Sequence, residues 1–408
     1  MKPIAAVLEQ HVEEAAFLWL LRDGAVHAPH YARKDLAKLD LRLEAHLDAL
    51  RIAGPHGWSA LKESLALEEP GEVFTAALLA FESGDARRTD LVLEAGTATP
   101  VLSRGLISAI GWLAPKKADR LIKALLASPS RFRRRIGVGG AAIRRLDFEK
   151  EFLAAAQDED SLLRARALRA IAELGFARHG PLFSHELRAA DPAVGYSAAW
   201  GAALLSGDPG GVSALQEFAA GPGRKAREAL VVAMRRMTPA AASAWREKLS
   251  ASPHTLRQAV IGAGASGDPA AIPWLLSQAA RPAVARVAGE ALSMITGVDL
   301  AGQDLEAAPP EGFDAGPGDD PHDENVLPDP DEDLPWPKVQ LVGAWWERRK
   351  SSFASGKRYL AGREISAGAV REVLAGGLQR QRAAAAVELV ALERNIPLVE
   401  VRSPAFRS

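Results

Sequence analysis

Prolines stand at positions 70, 100, 129, 192, 222, 253 and 282, and every step between neighbours but one is 29–31 residues. The exception, from 129 to 192, is two such steps with the missing mark near Ser161. A second series, Pro209, Pro239 and Pro269, also steps by 30. Two interleaved series with one period mark an internal repeat. Each mark of the first series precedes an alanine-rich run such as LLRARALRAIAELG (162–175), RKAREALVVAMRRM (224–237) or VARVAGEALSMITG (284–297), in which apolar residues recur at the helical spacing. Proline suits the first helical turn because the N–H it lacks has no partner there. Glycines close the runs, at Gly175, Gly207, Gly267 and Gly297, where a left-handed residue can end a helix. A shorter second helix follows, as in AAIPWLLSQAA (270–280). The predicted unit is therefore two antiparallel helices in about 30 residues.

Composition agrees. Alanine is abundant, aromatics make up only 6% of the 408 residues, and alternating Val, Ile and Thr runs are nearly absent, so the chain reads as all-α. A lone helix pair cannot bury its apolar face, so neighbouring pairs are expected to stack into an α-solenoid with one continuous core over residues 70–300. Residues 1–69 read as an N-terminal helical cap, with Leu36, Leu39, Leu43, Leu47 and Leu50 on one stripe. Residues 301–337 hold twelve acids and no Lys or Arg, and read as an acidic, Pro-rich linker too polar to build a core. Residues 338–408 read as a small mixed C-terminal module: helices at 341–353, 366–377 and 378–395, a short strand at 357–362 and another at 397–404. Charge follows these segments: about +4 over the first 300 residues, −12 over the linker and +7 over the module, within a total of −1.

The helix pairs resemble the HEAT repeat in its short, phycobilisome-lyase-like form; GDPAAIPWLL (267–276) matches the turn and second helix of that pattern. The whole chain also resembles a proteobacterial family of HEAT-repeat proteins through LDLRLEAHLDALRIAG (39–54), ARVAGEALSMITGVDL (285–300), LPDPDEDLPWP (327–337), RYLAGR (358–363) and QRQRAAAAVELVAL (379–392). The genes of that family often lie near type VI secretion components. The resemblance implies an accessory or effector-handling role there.

Chemistry is sparse. With no cysteine, disulfides, thiolate catalysis and Cys-based zinc sites are excluded. The absence of cysteine and of a leader or an apolar span leads to a cytoplasmic expectation. The alternation Asp329-x-Asp331-x-Asp333 begins like a calcium loop, but the positions that need Gly and Glu hold Leu334 and Gln340; a joint stiffened by prolines and anchored by Trp336 fits better than a cation site. His27 and His30 form the only close histidine pair and lack further ligands. GVGG (137–140) lacks the Lys-Ser/Thr of a phosphate loop and reads as a loosened helix. No serine nucleophile motif is present. No metal, cofactor or catalytic set is expected.

Two arginine patterns remain. Arg104, Arg133, Arg257 and Arg286 each stand four residues after a proline mark, with Arg164 and Arg227 near the corresponding places. Such a series can track a phosphate backbone or link adjacent repeats through carboxylates and helix-end carbonyls; its regularity matches the second role. RFRRR (131–135), with Arg144 and Arg145, is the densest basic patch. HEAT-like DNA glycosylases use basic concavities, but +4 over 300 residues is a small excess for a nucleic-acid binder. The expectation is a non-catalytic scaffold or adaptor that binds another protein, with Arg131, Arg133, Arg134, Arg135, Trp336, Trp345, Trp346 and Tyr359 as candidate partner-binding residues, since arginines and aromatics anchor interfaces. For Trp345 and Trp346 the rival reading is that they dock the C-terminal module. The alternatives in function are a DNA-glycosylase-like nucleic-acid enzyme and an immunity protein for a secreted toxin.

Overall fold

A computed structural model describes residues 4–313, 316 and 329–405. Residues 314–315 and 317–328 of the expected linker, His322 among them, lie outside the described residues. The described chain is all-α: twenty-one α-helices and four strands of two residues each. No helix is long and apolar enough to cross a membrane.

The periodic prolines do what their missing N–H dictates. Helices open on Pro70, Pro192, Pro209, Pro239 and Pro282, and helices Leu102–Trp112, Arg131–Ile143 and Gly223–Arg236 begin one or two residues after Pro100, Pro129 and Pro222. At the unmarked step the helix Ser161–Glu173 is started instead by Asp160, whose carboxylate accepts from the Leu163 N–H. An acceptor side chain at this position satisfies a backbone donor that would otherwise be orphaned. At the far ends, Gly84, Gly267 and Gly297 stand in the left-handed region as helix caps. Helix pairs result, among them Pro70–Ser83 with Ala86–Ala95, Leu102–Trp112 with Pro115–Leu126, and Gly223–Arg236 with Pro239–Ser250.

Contacts gather the chain into two units: Met1–His27 with Tyr31–Gly201 and Asn395–Ser408, and Ala28–His30 with Ala202–Arg394. In the first, the first helix of each pair packs on that of the next, Pro70–Ser83 on Leu102–Trp112, on Arg131–Ile143, on Ser161–Glu173. The cap helix Ala5–Ala25 lies against Pro70–Ser83 and against Arg33–Ile52. All five leucines of the expected stripe are buried there. In the second unit, Gly223–Arg236 packs on Leu256–Ser266, and that helix on Pro282–Thr296.

The GVGG segment is not loosened. Helix Arg131–Ile143 runs through it, and its glycines are there for space. A Cβ would come within 2.6 Å of Ile107 at Gly139, 2.8 Å of Ile110 at Gly140 and 3.0 Å of Leu125 at Gly137. Small residues let helix surfaces approach where a side chain would wedge them apart.

The acidic segment is held along its described part. Glu306–Ala307 pairs antiparallel with Trp336–Pro337, and Leu305 and Leu334 join the apolar core of the second unit. The next residues form helix Val339–Arg349, the hairpin Tyr359–Leu360 with Arg363–Glu364, and helices Ala367–Gly376 and Gln379–Leu392. Residues 397–404, expected as a strand, carry no regular structure and pack with the first unit. Alternating apolar residues favour a strand only where a sheet edge is there to receive them, and this segment instead finds helix ends.

Candidate protein-binding site

The periodic arginines are bound to carboxylates. In the first unit Arg104 pairs with Asp23, Arg133 with Asp90 at 2.8 Å and Arg164 with Glu186 at 3.6 Å. In the second, Arg227 lies 3.1 Å from Glu290. Arg257 grips Asp331 with both terminal nitrogens, at 2.6 and 2.5 Å, and Arg286 donates to Asp329 at 2.5 Å and to the Asp331 carbonyl at 3.0 Å. Asp331 is only 5% exposed. The Arg286 guanidinium also lies 4.8 Å over the Trp336 ring. Thus two of the alternating acids that begin like a calcium loop, Asp329 and Asp331, serve as counter-ions to the periodic arginines, while Asp333 faces His30 at 3.5 Å, and among the described residues no cluster of three metal-ligating side chains occurs. Arg144 works through the other ladder chemistry, donating to the carbonyls of Ile110, Gly111 and Leu113 at 3.1–3.3 Å.

Of the eight candidate partner-binding residues, the aromatic ones are largely interior. Trp345 and Trp346 are 7% and 8% exposed and belong with Tyr359 to the core of the second unit. The Trp345 indole N–H donates to Gln303 at 2.9 Å, the Trp346 and Phe353 rings stand 5.2 Å apart, and the Tyr359 oxygen accepts from the Ala354 N–H at 2.8 Å. The Tyr359 N–H donates to the Gly267 carbonyl at 2.7 Å. These three dock the C-terminal helices onto the last repeat and offer no face to a partner. Trp336 is half-buried under Arg286, with Phe313 edge-on at 4.7 Å. The reason is local: once helix Val339–Arg349 settles on Ile272–Ala279, both tryptophans fall on its inner side.

Of the four arginines of RFRRR, Arg131 is exposed and the others are half-buried, and three are charge-paired. Arg131 lies 3.0 Å from Asp158 and 2.9 Å from Glu159, Arg133 meets Asp90, and Arg134 lies 2.7 Å from Asp158 while donating to the Ser128 and Pro129 carbonyls. Arg135 differs. It is half-buried, its guanidinium donates to the Ser103 hydroxyl at 3.1 Å, and it lies 5.2 Å from the Phe132 ring. Burial holds its pKa below the usual guanidinium value, opposed by the field of Asp160. Arg131, Phe132 and Arg135 line a recess of about 320 Å³, closed by Thr97, Pro100, Asp160 and Leu162. Leu162 is an exposed apolar residue. A desolvated cation beside an aromatic ring and an exposed leucine can take a carboxylate together with an apolar side chain.

A second cluster had no periodic signal. In the first unit, residues 396–405 run past the C-terminal ends of helices Ser161–Glu173, Arg131–Ile143 and Ala5–Ala25 to the middle of helix Arg33–Ile52. The Leu398 N–H donates to the Glu173 carbonyl at 2.8 Å, and Arg145 donates through Nε to the Leu398 carbonyl at 2.6 Å. Arg145 also lies 3.4 Å from Glu400. Further on, Arg22 donates to the Arg402 carbonyl at 3.1 Å, and the Ala405 N–H donates to Asp40 at 2.7 Å. Val401 and Pro404 are buried. Glu173 is ringed by Arg166 at 3.0 Å, Arg169 at 3.3 Å and Arg145 at 3.9 Å. Burial would raise its pKa, but these three guanidinium groups outweigh it and bring the carboxyl to about 2. Glu400 is held below its ordinary value in the same way, burial being outweighed by Arg402 and Arg145. The available signal was the isolated acid within an apolar run, AIAELG around Glu173, AGEAL around Glu290 and AVELV around Glu388; all three pair with arginines, Glu173 and Glu388 buried and Glu290 half-buried.

Comparison with protein-family models, with curated proteins and with solved structures finds no match.

Proposed function

We propose that the chain is a non-catalytic, HEAT-like α-solenoid that binds another protein, with the recess between Arg131, Phe132 and Arg135 as a contact point for an acidic segment of the partner. The carrying observation is Arg135, which donates to a hydroxyl while its three neighbours in the patch are held by carboxylates. A guanidinium already stripped of much of its water gains more from an incoming carboxylate than a solvated one does. Against the nucleic-acid reading stands the ladder: phosphates would have to displace Asp23, Asp90, Asp331 and Asp329 from the arginines that might track a backbone. The resemblance to HEAT-repeat proteins encoded near type VI secretion components makes a component or cargo of that apparatus the first partner to seek.

The test is affinity capture from the native cell with the full chain and with Arg135→Glu, followed by mass spectrometry and by reconstitution of the pair from purified proteins. The expected result is a stoichiometric protein partner that binds directly and is lost with Arg135→Glu. A secretion component points to an adaptor, and a toxin points to an immunity role. Tight binding to duplex DNA that collapses between low and physiological salt, with no protein captured, overturns the reading.

A further inference from the structure

Resting on the reading of the chain as a protein-binding scaffold, we propose that residues 396–405 are a resident ligand on a peptide-binding track in the first unit, and that the track's external ligand is an extended protein segment carrying a carboxylate where Glu400 now sits. Three features of the contact are those of peptide recognition. First, most of the anchors fall on backbone atoms: Leu398 N–H and carbonyl, the Arg402 carbonyl and the Ala405 N–H. Such bonds accept many sequences in an extended chain. At Gly175, where φ is +75°, a Cβ would overlap the Ile396 carbonyl, so the track is cut to admit a backbone at close range. Second, one charge selects. Arg145, Arg166 and Arg169 face Glu173 from the helices, and Glu400 and Arg402 come from the segment. Of the three, Arg145 stands farthest from Glu173, at 3.9 Å against 3.0 Å for Arg166 and 3.3 Å for Arg169, and it is the one that reaches the segment. Glu400, itself held by Arg402 at 2.6 Å, gives Arg145 a second and nearer carboxylate at 3.4 Å, and a partner's Asp or Glu can supply it instead. Third, the occupant has neither helix nor strand, so it can leave without breaking a ladder of backbone hydrogen bonds.

Tethering explains why the resident segment holds the track at rest. A covalently attached ligand acts at an effective concentration on the order of millimolar, so a partner segment succeeds only when it is brought in by further contacts, as those at the recess would do.

The experiment uses the full chain and a fluorescent peptide with the sequence of residues 395–405, NIPLVEVRSPA, followed by anisotropy. Native chain, Glu400→Ala and Arg145→Ala are compared, with Glu400→Gln as the milder variant should Glu400→Ala fail to fold. Both the Glu400 and the Arg145 variants loosen the resident segment, but only the Glu400 variants keep the guanidinium that reads the incoming acid. The peptide is expected to bind the Glu400 variant at least roughly tenfold more tightly than native chain, and to lose roughly tenfold when its own Glu is replaced by Gln, the effect of removing one charge-assisted hydrogen bond. Arg145→Ala should show no gain. Equal binding to native and Glu400-variant chains, or an equal gain in Arg145→Ala, overturns the proposal. Because capture through Arg135 is read separately, failure here removes the track and leaves the scaffold reading to its own test.

Discussion

Glu388→Ala should be among the most damaging single substitutions in the second unit. Glu388 is 2% exposed and accepts from Arg235, also 2% exposed, at 2.8 Å, and from Arg358 at 2.5 Å. Burial holds the Arg235 pKa below its usual value, Glu388 being the main opposing influence, and its Nε has no partner. Deleting the carboxylate leaves Arg235 charged, buried and uncompensated, whereas the partly exposed Arg358 can turn to water. Breaking a buried pair from one side costs about 3–5 kcal/mol. For a unit of this size each kcal/mol shifts the melting temperature by roughly 2–4 °C, so a fall of roughly 10 °C is expected in calorimetry. The companion double variant, Arg235→Met with Glu388→Met, removes both charges and their desolvation together and should recover most of that loss. If Glu388→Ala melts within about 1 kcal/mol of native, or the double variant is as unstable as the single one, the energy lies in packing and the electrostatic reasoning is refuted.

Three further outcomes follow from the same coordinates. Glu173, with its pKa lowered from 4.5 to about 2, stabilises the folded state fully above its unfolded value; that contribution, roughly 3 kcal/mol, disappears as pH falls from about 4.5 through about 2, so denaturant melts should weaken steeply over that window and Glu173→Gln should flatten the slope. Asp331→Asn keeps the shape but removes the charge gripped by Arg257; because Arg257 can partly rehydrate, the loss should be about 1–2 kcal/mol by urea titration, with faster proteolytic cutting near residue 331. Gly105→Ala places a Cβ 2.5 Å from the Pro70 carbonyl and 2.9 Å from the Phe74 nitrogen, and overpacking should outweigh the better helix propensity by about 1–2 kcal/mol, whereas Gly343→Ala, in open space within helix Val339–Arg349, should stabilise by up to about 1 kcal/mol in the same thermal melts.

Much of the fold is legible in the sequence because its signals are local. A proline starts a helix through its own missing N–H, a glycine ends one through its own left-handed backbone, and the leucines at 36, 39, 43, 47 and 50 share a face by helical spacing alone. The regular recurrence of arginines pointed to carboxylate partners for the same reason. Partner identity is a different kind of fact. That Arg257 and Arg286 would take Asp331 and Asp329, that Trp345 and Trp346 would turn inward, and that residues 396–405 would lie beside Glu173 and Arg145 depended on which surfaces met after helices had formed. Sequence by itself determined where each helix begins, where it ends and which side is apolar, since those are set within a turn or two of chain; only the tertiary structure decided which buried charge answers which, because an ion pair is governed by distance in space and burial, and neither is written in sequence separation.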